Sequence, residues 1–250
     1  MKSGSRKQIK ALISNVVIKK INQHKSESEN APFFDAIFGR EQVRKASLMQ
    51  SFYTSFGMSI YEQVGEVLAK ENGFEAHRQY HLLGAIDSGT SALITKITND
   101  LKKGKRRGNS AEETKMIKKH IKKSRPVESP NNIVDLFVKD RKGKEYYFGI
   151  STVKLNKEGV EDKKNKLLRW MAIRMSQNKN ANAQFAVVFP YNPYFPRPYD
   201  RFGTMRVFDK PQLLIQEDFW DLLGGKGTFK ELTKIFKEVG NELRSRIDSL

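Results

Sequence analysis

Three positions, Asp135, Gly149 and Ser151, lie where their spacing could support metal-dependent chemistry. Two apolar runs, residues 133–138 and 146–150, flank a short polar segment, and this pattern predicts a β-hairpin. The midpoint of the hairpin places Asp135 opposite position 149, to within about one residue of register. Because strand side chains alternate between the two faces of a sheet, positions 149 and 151 project on the Asp135 face. A divalent-metal nuclease needs this geometry: a carboxylate on one strand, a second acid opposite it, and a lysine two residues later.

Two of the three chemical groups in that arrangement are missing. Position 149 is Gly where the arrangement requires Asp or Glu, and position 151 is Ser where it requires Lys. The pattern otherwise resembles that of the PD-(D/E)XK nucleases, which implies an α/β fold with a mixed β-sheet flanked by helices. We therefore expect a nuclease-like fold whose metal site is incomplete.

Asp135 and Glu62 are the candidate metal ligands, and Mg²⁺ is the metal that the resemblance implies. Asp135 lies between apolar residues of a strand, where a carboxylate is costly unless it is paired or bound to metal. The alternative is a strand-end Asp whose carboxylate accepts backbone hydrogen bonds. Glu62 and Glu66 are one helical turn apart and share a face, which either approaches the sheet or points to solvent. Of the two, we place Glu62 near the site.

The composition favours a nucleic acid as partner. The net charge is +18 and the isoelectric point is near 9.9, and a basic protein gains affinity for phosphate polyanions through counterion release. Residues 102–125 are the most basic segment, with eleven Lys or Arg residues against two Glu residues. We interpret this segment, which includes Lys118 and Lys122, as an arm that contacts phosphates. The alternative is a solvated helix face beside a loop.

Recognition of bases is predicted on other parts of the chain. Arg and Asn side chains, which hydrogen bond to base edges in the major groove, occur around the proline-rich segment 191–199 and on the helix before it. The alternative for this segment is a loop whose aromatic residues pack into the core. Lys154 follows the second hairpin strand. It is a candidate DNA contact, or a weak substitute for the lysine that is missing at position 151. The candidate DNA contacts are Lys154, Asn156, Arg169, Arg174, Asn192, Arg197, Arg201, Lys118 and Lys122.

The periodicity of apolar residues predicts the elements that would position these side chains. The strand, helix, strand order after the hairpin predicts a crossover to a parallel neighbour. We expect one domain over residues 1–250, with a helical N-terminal part to about residue 101, the basic segment, a sheet-containing core over about 130–210, and closing helices. The predicted helices cover residues 6–23, 59–72, 83–101, 161–176, 217–223 and 229–246, another helical stretch starts near residue 41, and the predicted strand after the hairpin covers residues 183–189.

The composition also excludes several classes of protein. The chain has no Cys, which excludes disulfides and thiolate metal sites. No stretch approaches the roughly 18 apolar residues that a membrane-spanning helix needs. The N-terminal residues lack the apolar core of a signal peptide. The expectation is a cytoplasmic protein of a bacterium or an archaeon.

Several longer segments resemble the TdeIII-type family of type II restriction endonucleases, which belongs to the PD-(D/E)XK superfamily. The resemblance covers nearly the whole chain, and its segments keep the order and spacing of the family. Where the family has an acid followed by Ile, Lys and Thr, this chain has Gly149-Ile-Ser-Thr152. The matching segments are residues 51–62, 134–137, 144–156, 166–170, 191–194, 217–220 and 223–225.

This resemblance implies sequence-specific, Mg²⁺-dependent cleavage of double-stranded DNA by a homodimer, with one active centre for each strand. Gly149 and Ser151 imply that this chain is catalytically inactive and still binds DNA. Because the residues around both positions match the family, we favour deliberate inactivation over a natural non-cleaving variant. Two alternatives remain open, a non-catalytic DNA-binding protein that keeps the nuclease fold and an RNA-processing nuclease.

Overall fold

The computed structural model describes residues 1–23, 31–124 and 132–248, and its centre is a five-stranded mixed sheet. The strands are β1 (Glu75–His81), β2 (Ile133–Lys139), β3 (Glu145–Ile150), β4 (Ala183–Phe189) and β5 (Leu213–Ile215). They lie side by side in chain order. β2 runs antiparallel to both of its neighbours, β1 and β3, whereas β3, β4 and β5 are parallel to one another. This arrangement confirms the predicted α/β fold with a mixed sheet.

Helices cover both faces of the sheet, as predicted. A π-helical segment (Phe56–Ile60) joins α3 to α4, and a 3-10 turn (Lys210–Gln212) precedes β5. The crossover between the parallel strands β3 and β4 is made by α7, as the strand, helix, strand order predicted. In the described residues the helices are α1 (Ser3–Gln23), α2 (Pro32–Phe38), α3 (Arg40–Ser55), α4 (Tyr61–Glu71), α5 (Ser88–Lys102), α6 (Ser110–His120), α7 (Lys157–Gln177), α8 (Phe202–Val207), α9 (Glu217–Gly224), α10 (Thr228–Glu242) and α11 (Arg244–Asp248).

Alternating strand residues divide the core into two layers. Phe137 and Tyr147 face the layer that contains α5, α6 and α7, and the large buried side chain there is Trp170. Leu136 and Phe148 face the opposite layer, formed by α1, α4, α9 and α10. The odd-numbered side chains of the hairpin therefore point toward α7, and Asp135 and Gly149 belong to this set.

Side-chain caps fix where the helices around the site begin. Asp87 caps α5 by accepting a hydrogen bond from the backbone of Thr90 at 3.0 Å, and Asn109 caps α6 in the same way. Asn156 caps α7, with its Oδ1 accepting from the Gly159 amide at 2.8 Å. Such caps satisfy amides that a helix terminus leaves unpaired. The cap at Asn156 sets the register at which α7 starts after the hairpin.

The predicted hairpin register is confirmed. Leu136 pairs with Phe148 across β2 and β3, so that Asp135 lies beside Gly149. Gly143 lies in the turn between the two strands with φ of +80°, a conformation that favours glycine. The backbone therefore places position 149 next to Asp135, as the spacing predicts.

Other predictions need correction. The N-terminal part is not wholly helical, because β1 was not predicted, and the helix expected over residues 83–101 begins only at Ser88. The predicted sheet core ends too early, since β5 lies beyond residue 210. The helix expected over residues 229–246 is divided into α10 and α11. The predicted polar break at residues 24–30 and the last basic residue of the arm, Arg125, lie outside the described residues.

Candidate functional site

Gln79, Asp135 and Gly149 form one row across three neighbouring strands. On β1, the residues on either side of Gln79 pair with the residues on either side of Asp135. On β3, Gly149 takes the corresponding place next to Asp135. In this row the Asp135 carboxylate lies between Gln79 and position 149, where the nuclease pattern has its second acid.

Gln79 has an unusual backbone conformation and links the row to Glu62. Its φ is +49°, in the left-handed region that residues other than glycine rarely adopt. Its Nε2 donates to both carboxylate oxygens of Glu62, at 3.0 and 2.9 Å. Strained backbone of this kind persists where the surroundings hold it in place, and it often marks a functional site.

Glu62 is a buried carboxylate whose properties depend on this site. The residue lies near the start of α4 and is only 4% exposed. Burial raises the pKa of Glu62 to about 7, the hydrogen bonds from Gln79 oppose that rise, and the negative charge of Asp135 adds to it. Glu62 is therefore close enough to Asp135 for the charge of Asp135 to affect its pKa, and the choice of Glu62 over Glu66 stays a prediction.

Glu66 takes part in a different set of interactions. Its carboxylate binds Lys70 at 2.8 Å and Arg78 at 2.8 Å. Both cations lie on the partly exposed surface of α4 and β1. Glu66 therefore ties the helix to the edge strand and leaves Glu62 as the carboxylate of this helix that approaches Asp135.

Both oxygens of Asp135 have partners. Oδ2 accepts a hydrogen bond from the backbone amide of Ile150 at 2.8 Å. Oδ1 lies 3.3 Å from the ammonium nitrogen of Lys166, a residue of α7. The same ammonium lies 4.9 Å from the centroid of the Trp170 ring, within the range of a cation–π contact. A cation is therefore present beside the central carboxylate.

A second α7 lysine, Lys163, faces the same strand end. Its ammonium lies 3.4 Å from the carbonyl oxygen of Ile150. Burial lowers the pKa of Lys163, the charge of Asp135 opposes that change, and the charge of Lys166 adds to it. Lysines 163 and 166 were not among the sequence candidates. The signal that could have found them is their spacing of three residues on a helix that also carries Trp170.

A Cβ atom at position 149 would lie close to the Asp135 carboxylate. A Cβ atom built on Gly149 would lie 3.4 Å from Cη2 of Trp170 and 4.0 Å from Oδ2 of Asp135. The first distance is at the short end of ordinary van der Waals contact, so a Cβ atom fits here. The indole Nε1 of Trp170 is buried and has no hydrogen-bond partner in the described part of the chain. A Cβ at position 149 would meet the other edge of this indole, at Cη2 and Cζ3 of the six-membered ring.

Ser151 lies at the end of β3, beside a cavity of about 600 Å³. Its amide donates to the carbonyl of Val188 at 3.0 Å, and the residue is buried. The cavity is lined largely by aromatic rings, including Phe56, Tyr61 and Tyr191. Ser151 supplies no charge to the site.

The described residues bring no group of three His, Cys, Asp or Glu residues together around a possible metal ion. The available donors are the carboxylates of Asp135 and Glu62. Carboxylate oxygens are the ligands that Mg²⁺ prefers, and Mg²⁺ is often held by one or two of them together with substrate phosphate. The donor chemistry therefore fits Mg²⁺, with one protein ligand fewer than an acid at position 149 would give.

Several predicted DNA contacts have other partners in the structure. Arg174 binds Glu145 through two hydrogen bonds of 2.6 and 2.8 Å, near the turn end of the hairpin. The side chain of Asn192 donates to the carbonyl of Arg197 at 2.7 Å and accepts from the Tyr194 amide at 2.9 Å. Arg174 and Asn192 therefore stabilise the protein itself, and Asn156 does so as the cap of α7.

The remaining predicted DNA contacts are either exposed or partly buried. Lys154, Arg197 and Lys122 are exposed. Arg201 precedes α8, Arg169 lies on α7, and each is partly buried. Lys118 is partly buried in the last turn of α6.

Among the described residues, no helix is both long and apolar enough to cross a lipid bilayer.

Comparison with known proteins gives consistent matches along the chain. The type II restriction enzyme HgiCII of Herpetosiphon aurantiacus is 26% identical over 227 residues, covering 89% of this chain and 82% of the relative. The type II restriction enzyme HgiEI of the same organism is 25% identical over 213 residues, covering 84% of this chain and 77% of the relative.

A third relative is longer than this chain. The type II restriction enzyme MjaII of Methanocaldococcus jannaschii is 27% identical over 231 residues, covering 83% of this chain and 60% of the relative. No solved structure matches the chain. The model of the family described as type II restriction endonuclease, HinfI, matches residues 1–240. The chain therefore belongs to the HinfI family of type II restriction endonucleases.

Proposed function

We propose that this chain is a type II restriction endonuclease that binds duplex DNA at a specific sequence and whose cleavage step is disabled at position 149. The observation that carries the proposal is the geometry there: a Cβ at Gly149 would lie 4.0 Å from Oδ2 of Asp135. The resemblance to TdeIII-type enzymes is the reason to expect an acid at position 149 and a lysine at position 151, where this chain has Gly and Ser.

Asp135 and Glu62 would hold Mg²⁺ in this function. When bound, the ion would polarise the phosphodiester and stabilise the charge that develops during in-line displacement. The residues of the chain prepare the site for it. The amide of Ile150 orients Asp135, and the amide of Gln79 orients Glu62. Gly149 contributes no oxygen, so we expect weak binding of Mg²⁺ in this chain.

Duplex DNA is the proposed partner, bound by a homodimer in the cytoplasm. The net charge of +18 favours a polyanion, and two copies related by a two-fold axis would match the two strands of a symmetric DNA site. The exposed basic residues Lys122, Lys154 and Arg197 are the candidate contacts with the clearest access to solvent. Binding of DNA in this proposal does not depend on the missing acid.

The double substitution Gly149→Glu with Ser151→Lys tests this function. Both proteins are incubated with plasmid DNA in Mg²⁺, and the products are mapped. We expect discrete fragments from the double variant and no cleavage at a useful rate from the unsubstituted chain. A double variant that binds duplex DNA without cutting it would favour a non-catalytic DNA-binding protein. Preferential cleavage of structured RNA would favour an RNA-processing nuclease.

A further inference from the structure

We propose that Lys166 of α7 supplies the cation that the nuclease pattern places at position 151, so that the acid at position 149 is the only catalytic group the chain lacks. This inference rests on the proposed function and makes it more specific. In the nuclease pattern, the lysine and the second acid are on the same strand. In this chain the cation approaches the site from the crossover helix.

The position of Lys166 relative to Asp135 supports this role. Its ammonium lies 3.3 Å from Oδ1 of Asp135, the carboxylate that the pattern places beside the scissile phosphate. Its side chain is 34% exposed, so Lys166 is partly open to solvent. The Asp135 side chain is only 16% exposed, so water screens this pair less than it screens a pair on the surface. A cation held in this position is suited to stabilise negative charge on a phosphate bound beside Asp135.

Trp170 connects Lys166 to position 149. The ring holds the Lys166 ammonium 4.9 Å from its centroid, and its Cη2 lies 3.4 Å from a Cβ built on Gly149. An acid at position 149 would therefore share one surface with Lys166 and Asp135. The carboxylates of Asp135 and of the acid at position 149 would then lie beside the Lys166 ammonium, which is the set of groups that the nuclease pattern contains. No side chain from position 151 would be needed.

The other cations near the site are less well placed. Lys163 lies 3.4 Å from the carbonyl oxygen of Ile150. The charge of Asp135 acts on Lys163, but in the described residues the two form no hydrogen bond or ion pair. Lys164, the next residue, is fully buried and pairs with Glu113 at 2.7 Å in another part of the core. Lys154 is exposed on the loop after β3. Lys166 is the lysine whose ammonium contacts the central carboxylate.

The chemical role of Lys166 is to place a positive charge beside the reacting phosphate. In hydrolysis, the oxygen of a water molecule bonds to phosphorus and the bond from phosphorus to one ester oxygen breaks. The water loses a proton to solvent, and the departing ester oxygen gains one. Negative charge grows on the phosphate oxygens during this exchange, and a fixed cation stabilises that charge.

The test uses a set of variants of the full chain on plasmid DNA in Mg²⁺. Gly149→Glu alone is expected to cleave, at a rate within about tenfold of the Gly149→Glu/Ser151→Lys protein. Adding Lys166→Met to Gly149→Glu should lower the cleavage rate by about 10²–10³-fold, the usual effect of removing one charge-stabilising group. Lys166→Arg in the same background should restore part of that loss, because the charge returns.

Three controls separate this effect from damage to the fold or to binding. Lys179, an exposed lysine just beyond the end of α7, is changed to Met in the Gly149→Glu background and should leave the rate unchanged. The affinity of Lys166→Met for the same duplex at fixed salt should fall by less than about tenfold, as for one phosphate contact. Its thermal unfolding midpoint should match that of the Gly149→Glu protein within a few degrees.

The outcomes distinguish this inference from the proposed function. If Gly149→Glu is inactive while the double variant cleaves, the function stands and the role of Lys166 is overturned. If Lys166→Met cleaves as fast as its Gly149→Glu parent, Lys166 is not the cation of the site. If neither Gly149→Glu nor the double variant cleaves DNA, the proposed function fails and this inference fails with it.

Discussion

Gln79 shows how a single residue can serve the site through both its backbone and its side chain. Its left-handed φ of +49° is strained for any residue with a Cβ, whereas its amide gives Glu62 two hydrogen bonds. No local sequence pattern distinguishes such a glutamine from a solvated one. Its role follows from the pairing of β1 with β2, which only the folded chain defines.

Replacing Gln79 separates these two contributions. Gln79→Ala removes the donors to a buried carboxylate, and we expect it to lower the free energy of unfolding by about 1–3 kcal/mol. Gln79→Gly loses the same donors and relieves the strained φ, so it should be more stable than Gln79→Ala by about 1 kcal/mol. Urea unfolding of both variants measures the difference. Gln79→Ala proving at least as stable as Gln79→Gly would contradict the strain argument.

The lysines of α7 show the limit of sequence reasoning at this scale. Lys163, Lys164 and Lys166 lie within four residues, yet one is buried against Glu113 and the other two face the end of the hairpin. A run of lysines on a helix usually indicates a solvated face. Asp135 and position 149 could be predicted because the hairpin pairs them locally, whereas the lysines depend on how α7 packs on the sheet.

At the scale of elements, β1 illustrates why one strand was missed. Only Ala76 of this edge strand is buried, and charged and polar residues occupy most of the others. Edge strands carry such residues because they discourage pairing with other chains, and they therefore lack the apolar alternation that marks an inner strand. The inner strands β2, β3 and β4 carried that signal and were predicted.

The tie between Glu145 and Arg174 should make stability depend on pH. Burial alone would raise the pKa of Glu145, but hydrogen bonds from Arg174 and Tyr147 outweigh it, and the pKa is lowered. The stability from this group is thus present above the unfolded pKa of about 4.3 and is lost as pH falls through the folded pKa. Glu145→Gln should lose about 1–3 kcal/mol at pH 7.

Urea unfolding from pH 7 down to about pH 3.5 measures the difference in the free energy of unfolding between Glu145→Gln and the unsubstituted chain. This pH range is the one in which a carboxylate titrates. The gap between Glu145→Gln and the unsubstituted chain should narrow toward the acid end. Glu41→Gln, which removes an exposed pair with Lys45 on α3, is a matched control and should change stability little at any pH. A gap that stays constant with pH would show that the carboxylate charge is not its cause.

The proline-rich loop after β4 should contribute to specificity more than to affinity. Asn192 braces the loop from within, Tyr199 is buried, and Phe195 is 72% exposed, so the loop presents a fixed outer surface that includes Arg197. Rigid segments lose less entropy on docking. Arg197→Ala or Arg201→Ala should reduce discrimination between cognate and random DNA more than Lys118→Ala or Lys122→Ala.

Competition binding with cognate and scrambled duplexes measures that discrimination. The Lys118 and Lys122 variants should weaken binding to both duplexes about equally, because phosphate contacts carry little sequence information. Equal specificity ratios for the arginine and lysine variants would reject the assignment of the loop. The loop would then be a structural element whose aromatic residues serve the core.

At the scale of the whole molecule, the fold was accessible from sequence where apolar periodicity is strong. The hairpin, the crossover helix and the parallel strand each carry a local pattern, and together they specify a mixed sheet. The convergence of Glu62, Asp135 and the α7 lysines required the packing of helices on both faces. Pairing geometry within a hairpin is local in sequence, whereas contacts between layers are not.

The net charge of +18 predicts a strong dependence of DNA binding on salt. If about six or more phosphates are contacted, affinity for duplex DNA should fall about 10³-fold or more between roughly 50 and 200 mM salt. Fluorescence anisotropy with a labelled duplex over this range gives the slope. An affinity that does not change with salt would contradict the prediction that the basic residues of the chain bind DNA phosphates.

The most direct measurement of the central claim compares plasmid cleavage in Mg²⁺ by the unsubstituted chain and by the Gly149→Glu/Ser151→Lys variant, under single-turnover conditions. We predict that the variant cuts at discrete sites and that the unsubstituted chain is slower by at least about 10²–10³-fold, since Gly149 leaves out a group that stabilises the transition state. Cleavage by the unsubstituted chain at a rate close to that of the variant would contradict a disabled site beside Asp135.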